Sequence, residues 1–89
     1  MTARADHPSG RNLVRATVTW SGETAMLELV NRHGRIVEFV VEGTTAGRRR
    51  IRVAGNDRFA ILYEVQPDSE LVVAVDDDSG RILYSGRPE

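Results

Sequence analysis

The chain has 89 residues, 40% hydrophobic and 28% charged, with a formal net charge of −1 and no cysteine. That length holds one domain and little more, the balance is a globular chain's rather than a disordered one's, and no apolar run approaches the roughly eighteen residues of a membrane span. A charge this close to zero argues against bulk electrostatic attachment to nucleic acid or anionic lipid, and the lack of cysteine removes disulfide scaffolds, thiolate nucleophiles and thiolate zinc sites together.

The first twelve residues, MTARADHPSGRN, contain no apolar stretch of the kind a secretory signal needs. They read as a disordered N-terminal tail before a single β-rich domain over 13–89, in a cytoplasmic protein. All twelve basic residues are arginine, a bias of GC-rich coding that points to a bacterial source.

From residue 13 onward short apolar segments alternate with turns. Residues 13–20, LVRATVTW, put Val14, Ala16, Val18 and Trp20 on one face and Arg15, Thr17 and Thr19 on the other, the period of two expected of a strand. Ser21-Gly22-Glu23 is the first turn. Residues 24–30, TAMLELV, form the second strand. The same stretch also reads as a short helix over 22–33, with Ser21 as N-cap, Met26, Leu29, Val30 and His33 along one side, and Gly34 as the stop.

Asn31-Arg32-His33-Gly34 suits a type I turn followed by a left-handed glycine, a common hairpin connection. Next come RIVEFVVE (35–42), the Gly43–Gly47 loop, RRRIRV (48–53), an Ala54–Asp57 turn and RFAILYEV (58–65). The last elements are a Gln66–Ser69 turn, ELVVAVD (70–76), a turn over Asp77–Gly80 and RILYS (81–85). Turns at this spacing predict an all-β fold: a small antiparallel meander of six to seven short strands, closed or half-closed as a barrel or sandwich. The other architecture is α+β, with the 22–33 helix packed on an antiparallel sheet.

The predicted inward set runs from Val14, Ala16, Val18 and Trp20 through Leu27, Leu29, Val37, Phe39, Val41, Ile51 and Val53 to Phe59, Ile61, Tyr63, Val65, Val73, Val75, Ile82 and Tyr84. Met26, Val30, Ile36, Val40, Ala60, Leu62 and Leu71 fall on second faces. A single sheet cannot bury both, so the sheet rolls up or a second face meets a partner.

The sequence carries no nucleophile, phosphate-loop or metal motif, and no catalytic residue, metal ligand or cofactor is assigned. His7 and His33 stand apart, with no second ligand at metal spacing. Asp76, Asp78 and Gly80 are too short a match to a calcium loop. The main chemical feature is basic: Arg48, Arg49, Arg50, Arg52 and Arg58 against Asp57 alone, five positive charges less one negative. Arg48, Arg50 and Arg52 share one strand face. Together with Arg58 they are the candidate binding residues, either as a track for phosphates or as arginines paired across strands with Glu42 or Glu64. Six acidic residues follow between Glu64 and Asp78, and a bipolar surface of this kind suits self-association or a charged protein partner better than nucleic acid.

Residues 49–75, RRIRVAGNDRFAILYEVQPDSELVVAV, resemble the C-terminal sheet of the RelE/ParE family of bacterial toxins. There an arginine-rich strand leads through a short turn into a "YRVLYEV"-like strand and on to a valine-rich one. The resemblance implies two helices, over 24–33 and 35–43, and an activity of ribosome-dependent mRNA cleavage or gyrase inhibition. It places Arg52, Arg58, Arg81 and Tyr84 near the family's basic and tyrosine positions. The sequence departs from the pattern where Asp76-Asp77-Asp78 stands in place of a closing basic segment. The expectation from the residues themselves is a small non-enzymatic binding or accessory module that acts through a protein partner or as a homo-oligomer, with no membrane role; the RNA-binding toxin is the alternative.

Overall fold

The computed structural model describes residues 13–88; the tail assigned to 1–12, with His7, lies outside the described residues. All seven expected segments are strands: β1 (Val14–Ser21), β2 (Thr24–Asn31), β3 (Val37–Glu42), β4 (Arg49–Val53), β5 (Asp57–Glu64), β6 (Leu71–Val75) and β7 (Ile82–Gly86). They form two antiparallel sheets, ordered β1-β2-β5 and β4-β3-β6-β7, with no α-helix among the described residues. The 22–33 helix is thereby corrected. Ala25, Leu27, Leu29 and Asn31 are all buried and the residues between them are not, a period of two that only a strand produces. The two helices implied by the toxin resemblance are corrected in the same way, because their segments are β2 and β3.

Tight turns make three of the ladders. Gly22, at a φ of 62°, is the first central residue of the two-residue β1–β2 turn, where a right-twisting hairpin calls for positive φ. Gly80 (φ 58°) closes β6–β7, where Asp77 Oδ1 accepts from the amides of Ser79 and Gly80. β3 and β4 pair across the Gly43–Gly47 loop. The remaining pairings are long-range: β5 returns to β2, and β6 to β3.

The Asn31–Gly34 turn is not the hairpin its sequence suggests. Gly34 is not left-handed, and β2 and β3 lie in different sheets. The physical reason is Asn31. Its buried amide donates to the carbonyls of Arg35 (2.8 Å), Val53 (3.0 Å) and Ala54 (3.0 Å), and its Oδ1 accepts from the His33 amide (2.9 Å). One side chain thus ties the end of sheet one to the corner where β4 turns into β5. Gly55 packs backbone to backbone on Gly34 there; a Cβ on it would stand 2.6 Å from the Gly34 carbonyl carbon.

Inward residues of both sheets interdigitate as a sandwich core of Leu27, Leu29, Phe39, Val41, Leu71 and Val73, all fully buried. Leu71 is therefore a core residue and not a second-face one, and Ala25 and Leu83 join the core or pack on it. Ile82 is 62% exposed, since an irregularity between Val73 and Ala74 shifts the β7 register and turns Leu83 inward instead. Phe59 is 40% exposed although its neighbours in the β2–β5 register are buried. No described helix is long and apolar enough to cross a membrane.

Candidate association surface

The outer face of the β4-β3-β6-β7 sheet carries the arginine row. Alternation along β4 sends Ile51 and Val53 inward and Arg50 and Arg52 outward, with Arg48 just ahead of the strand. Each faces a carboxylate across the sheet: Arg48 and Glu42 at 3.4 Å, Arg50 and Asp76 at 3.6 Å, Arg52 and Glu38 at 3.8 Å. The pairing with Glu42 follows the sequence expectation, whereas Glu64 takes no part. Asp76 reaches Arg50 because β3 lies between β4 and β6 and all three strands are in register. Beneath the row sits Val40, only 8% exposed on an outward face. Its ladder neighbours are Arg50 and Ala74, and the aliphatic stem of an arginine shields such a residue while its head stays in water.

Arg58 is not part of this row. It lies on the other sheet, where it pairs with Glu28 at 3.3 Å. The expected four-residue track is therefore split: Arg48, Arg50 and Arg52 line one sheet, and Arg58 stands on the other.

The outer face of the β1-β2-β5 sheet is built in cross-strand rows. Arg15, Val30 and Arg58 form one end; Thr17, Glu28 and Ala60 come next, then Thr19, Met26 and Leu62, and finally Ser21, Thr24 and Glu64. Met26 and Leu62 are directly paired and largely exposed, at 48% and 63%. A shallow depression of about 180 Å³ adjoins them, lined by Thr17, Thr19, Met26, Glu28 and Ala60. The result is an apolar centre with arginines at one end and a glutamate at the other.

The edges of this sheet differ. The β1 edge runs beside β7, and Trp20 Nε1 donates to the Tyr84 hydroxyl at 2.8 Å across that seam. On the other side, β4 and β5 belong to separate sheets and share no ladder. The inward side chains of β5 are correspondingly less buried than those of β2: Phe59, Ile61 and Tyr63 all keep solvent exposure, whereas Ala25, Leu27 and Leu29 have none. Partial burial raises the Tyr63 hydroxyl above its usual pKa, against the opposing pull of the nearby Arg49 charge.

The two turns that look alike in sequence, NRHG and DDSG, meet at one end of the sandwich. Between them lies a cavity of about 350 Å³ with Val14, Val37 and Val75 among its lining, and Arg35, Asp77 and Arg81 at its polar side. The hydrogen bond from the Ser79 hydroxyl holds the Asp77 carboxyl below the usual carboxylate range against the opposing effect of desolvation, aided by the Ser79 and Gly80 amides and by Arg81. Asp77 is thus engaged in shaping its own turn. Among the described residues no group of three or more histidine, aspartate and glutamate side chains is placed to hold a metal ion.

Comparison of the chain with protein-family models, with curated proteins and with solved structures finds no match.

Proposed function

We propose that the protein is a non-enzymatic association module of the cytoplasm, which acts through protein contacts and in the first place with itself. One observation carries the reading. The Met26–Leu62 pair is exposed at the centre of a sheet face whose ends are oppositely charged. Apolar side chains ringed by charge are the anatomy of a protein-binding patch. The arginine row favours an RNA role less, because Arg48, Arg50 and Arg52 already face carboxylates that offset their charge toward a phosphate backbone.

The test is light scattering coupled to size exclusion, from low micromolar to several hundred micromolar chain. A mass above 9.9 kDa that rises with concentration is expected. A mass that stays at 9.9 kDa throughout, together with salt-dependent binding of single-stranded RNA, overturns the reading in favour of the nucleic-acid alternative.

A further inference from the structure

We infer that the cavity between the NRHG and DDSG turns binds a small monocarboxylate with an apolar body. The inference is separate from self-association, because the site lies at the end of the sandwich and includes neither Met26 nor Leu62. Its volume of about 350 Å³ is at the small end of ligand sites, with room for roughly a dozen waters at ~30 Å³ each. The floor is Val14, Val37 and Val75, the residues at which the core ends. An apolar body seated there continues the core and takes its own surface out of water.

Hydrogen bonds fix both walls before any ligand arrives. On one wall the Asn31 side chain holds the His33 amide and the Arg35 carbonyl, the Arg32 amide donates to the Leu13 carbonyl at 2.7 Å, and the Asn56 amide donates to the His33 carbonyl at 2.8 Å. On the other, the Val75 amide donates to the Arg81 carbonyl at 2.9 Å and the Arg81 amide to Ser79 Oγ at 3.2 Å. Walls held in this way give up little freedom on binding.

Charge decides the class of ligand. Asp77 and Arg81 stand on the same wall and offset each other. Asp77 Oδ1 is also taken up by the Ser79 hydroxyl, at 2.6 Å, and by two amides of its own turn. Arg35, on the facing wall, makes no ion pair with another described residue. With His33 neutral, the lining carries two positive charges, Arg35 and Arg81, less the one negative charge of Asp77. One carboxylate balances the remainder, received by the planar fork of Arg35. A phosphate dianion or a dicarboxylate would leave a negative charge unbalanced beside Asp77, and a cation would meet Arg35.

The test is titration of the full chain with benzoate, benzamide and inorganic phosphate, read on the methyl NMR resonances of Val14, Val37 and Val75. Benzoate is expected to shift all three saturably. Benzamide has the same shape without the charge and is expected to bind about tenfold more weakly, the loss of one charge-assisted pair. Phosphate is expected to leave the methyls unmoved. Arg35→Gln is expected to weaken benzoate about tenfold, leave benzamide unchanged and keep the melt followed by Trp20 emission. Arg52→Gln, on the outer face of the sheet, is expected to change neither ligand's binding. Any of four results overturns the proposal: no saturable shift with benzoate at tens of millimolar, equal binding of benzoate and benzamide, undiminished benzoate binding by Arg35→Gln, or phosphate binding as tight as benzoate's, which would mean that the site reads charge alone.

Discussion

Replacing Asn31 with alanine tests how the two sheets are held at their common corner. The side chain is 1% exposed and makes four hydrogen bonds, of which the one to the Val53 carbonyl is buried and the others partly so. A buried carbonyl left without a partner costs about 1–3 kcal/mol, and each partly buried bond that water can replace costs nearer 1 kcal/mol. With two N–H groups shared among three carbonyls and one acceptor lost, the expected destabilisation is about 4 kcal/mol. A small domain has about 5–15 kcal/mol in all, so the variant is at the edge of folding. Urea denaturation followed by emission of Trp20, the only tryptophan, measures the loss, at fixed chain concentration because association shifts apparent stability. A loss below about 1 kcal/mol would refute the reasoning and mean that the Gly34–Gly55 backbone contact holds the corner alone. Asn31→Asp sharpens the test. A carboxylate aimed at three carbonyls is worse than no side chain, and burial there raises its folded pKa above the unfolded one. Its penalty is therefore largest at neutral pH and fades as pH falls toward the unfolded value, where the protonated acid donates again.

Gly43→Ala is expected to lose more than about 3 kcal/mol, since a φ of 99° is strained for any side chain and the new methyl would fall on the Glu70 carbonyl; thermal melts check it. Arg48→Gln, Arg50→Gln and Arg52→Gln made singly are each expected to change stability by less than about 1 kcal/mol, as exposed ion pairs do, in the same denaturation assay. For Asp77 the folded pKa is depressed, so its contribution to stability is present above the unfolded pKa and is lost as pH falls through the folded one. Ser79→Ala removes the largest cause of the depression and is expected to raise the Asp77 pKa toward the ordinary value, read by carboxyl NMR titration.

The strands were legible because period-two alternation in β1 and β5 and the turn residues between segments are local signals. Their partners were not. Nothing in residues 57–64 says that they return to β2 across two intervening strands, and only that return makes Arg58 a neighbour of Glu28 instead of the β4 arginines. The misplacements of Leu71, Phe59 and Ile82 are of the same kind. An open sandwich side decides Phe59 and a register irregularity decides Ile82, and neither is encoded in a window of eight residues. The second-face apolar character of Met26 and Leu62 was visible directly, because alternation alone separates them from the core.

The interleaving of the two sheets sets the timetable on which this chain can fold. β1 and β2 are synthesised first, yet their third strand comes only after β3 and β4 have been made, and β3 then waits for β6. A two-stranded hairpin by itself is marginal in water. Neither half of the sandwich can therefore settle during synthesis while the other is still to come, and distant strands must find each other before local contacts are rewarded. Folding is accordingly expected to be slow and all-or-none, with few partial structures, and to begin in earnest only once residues beyond β6 have left the ribosome.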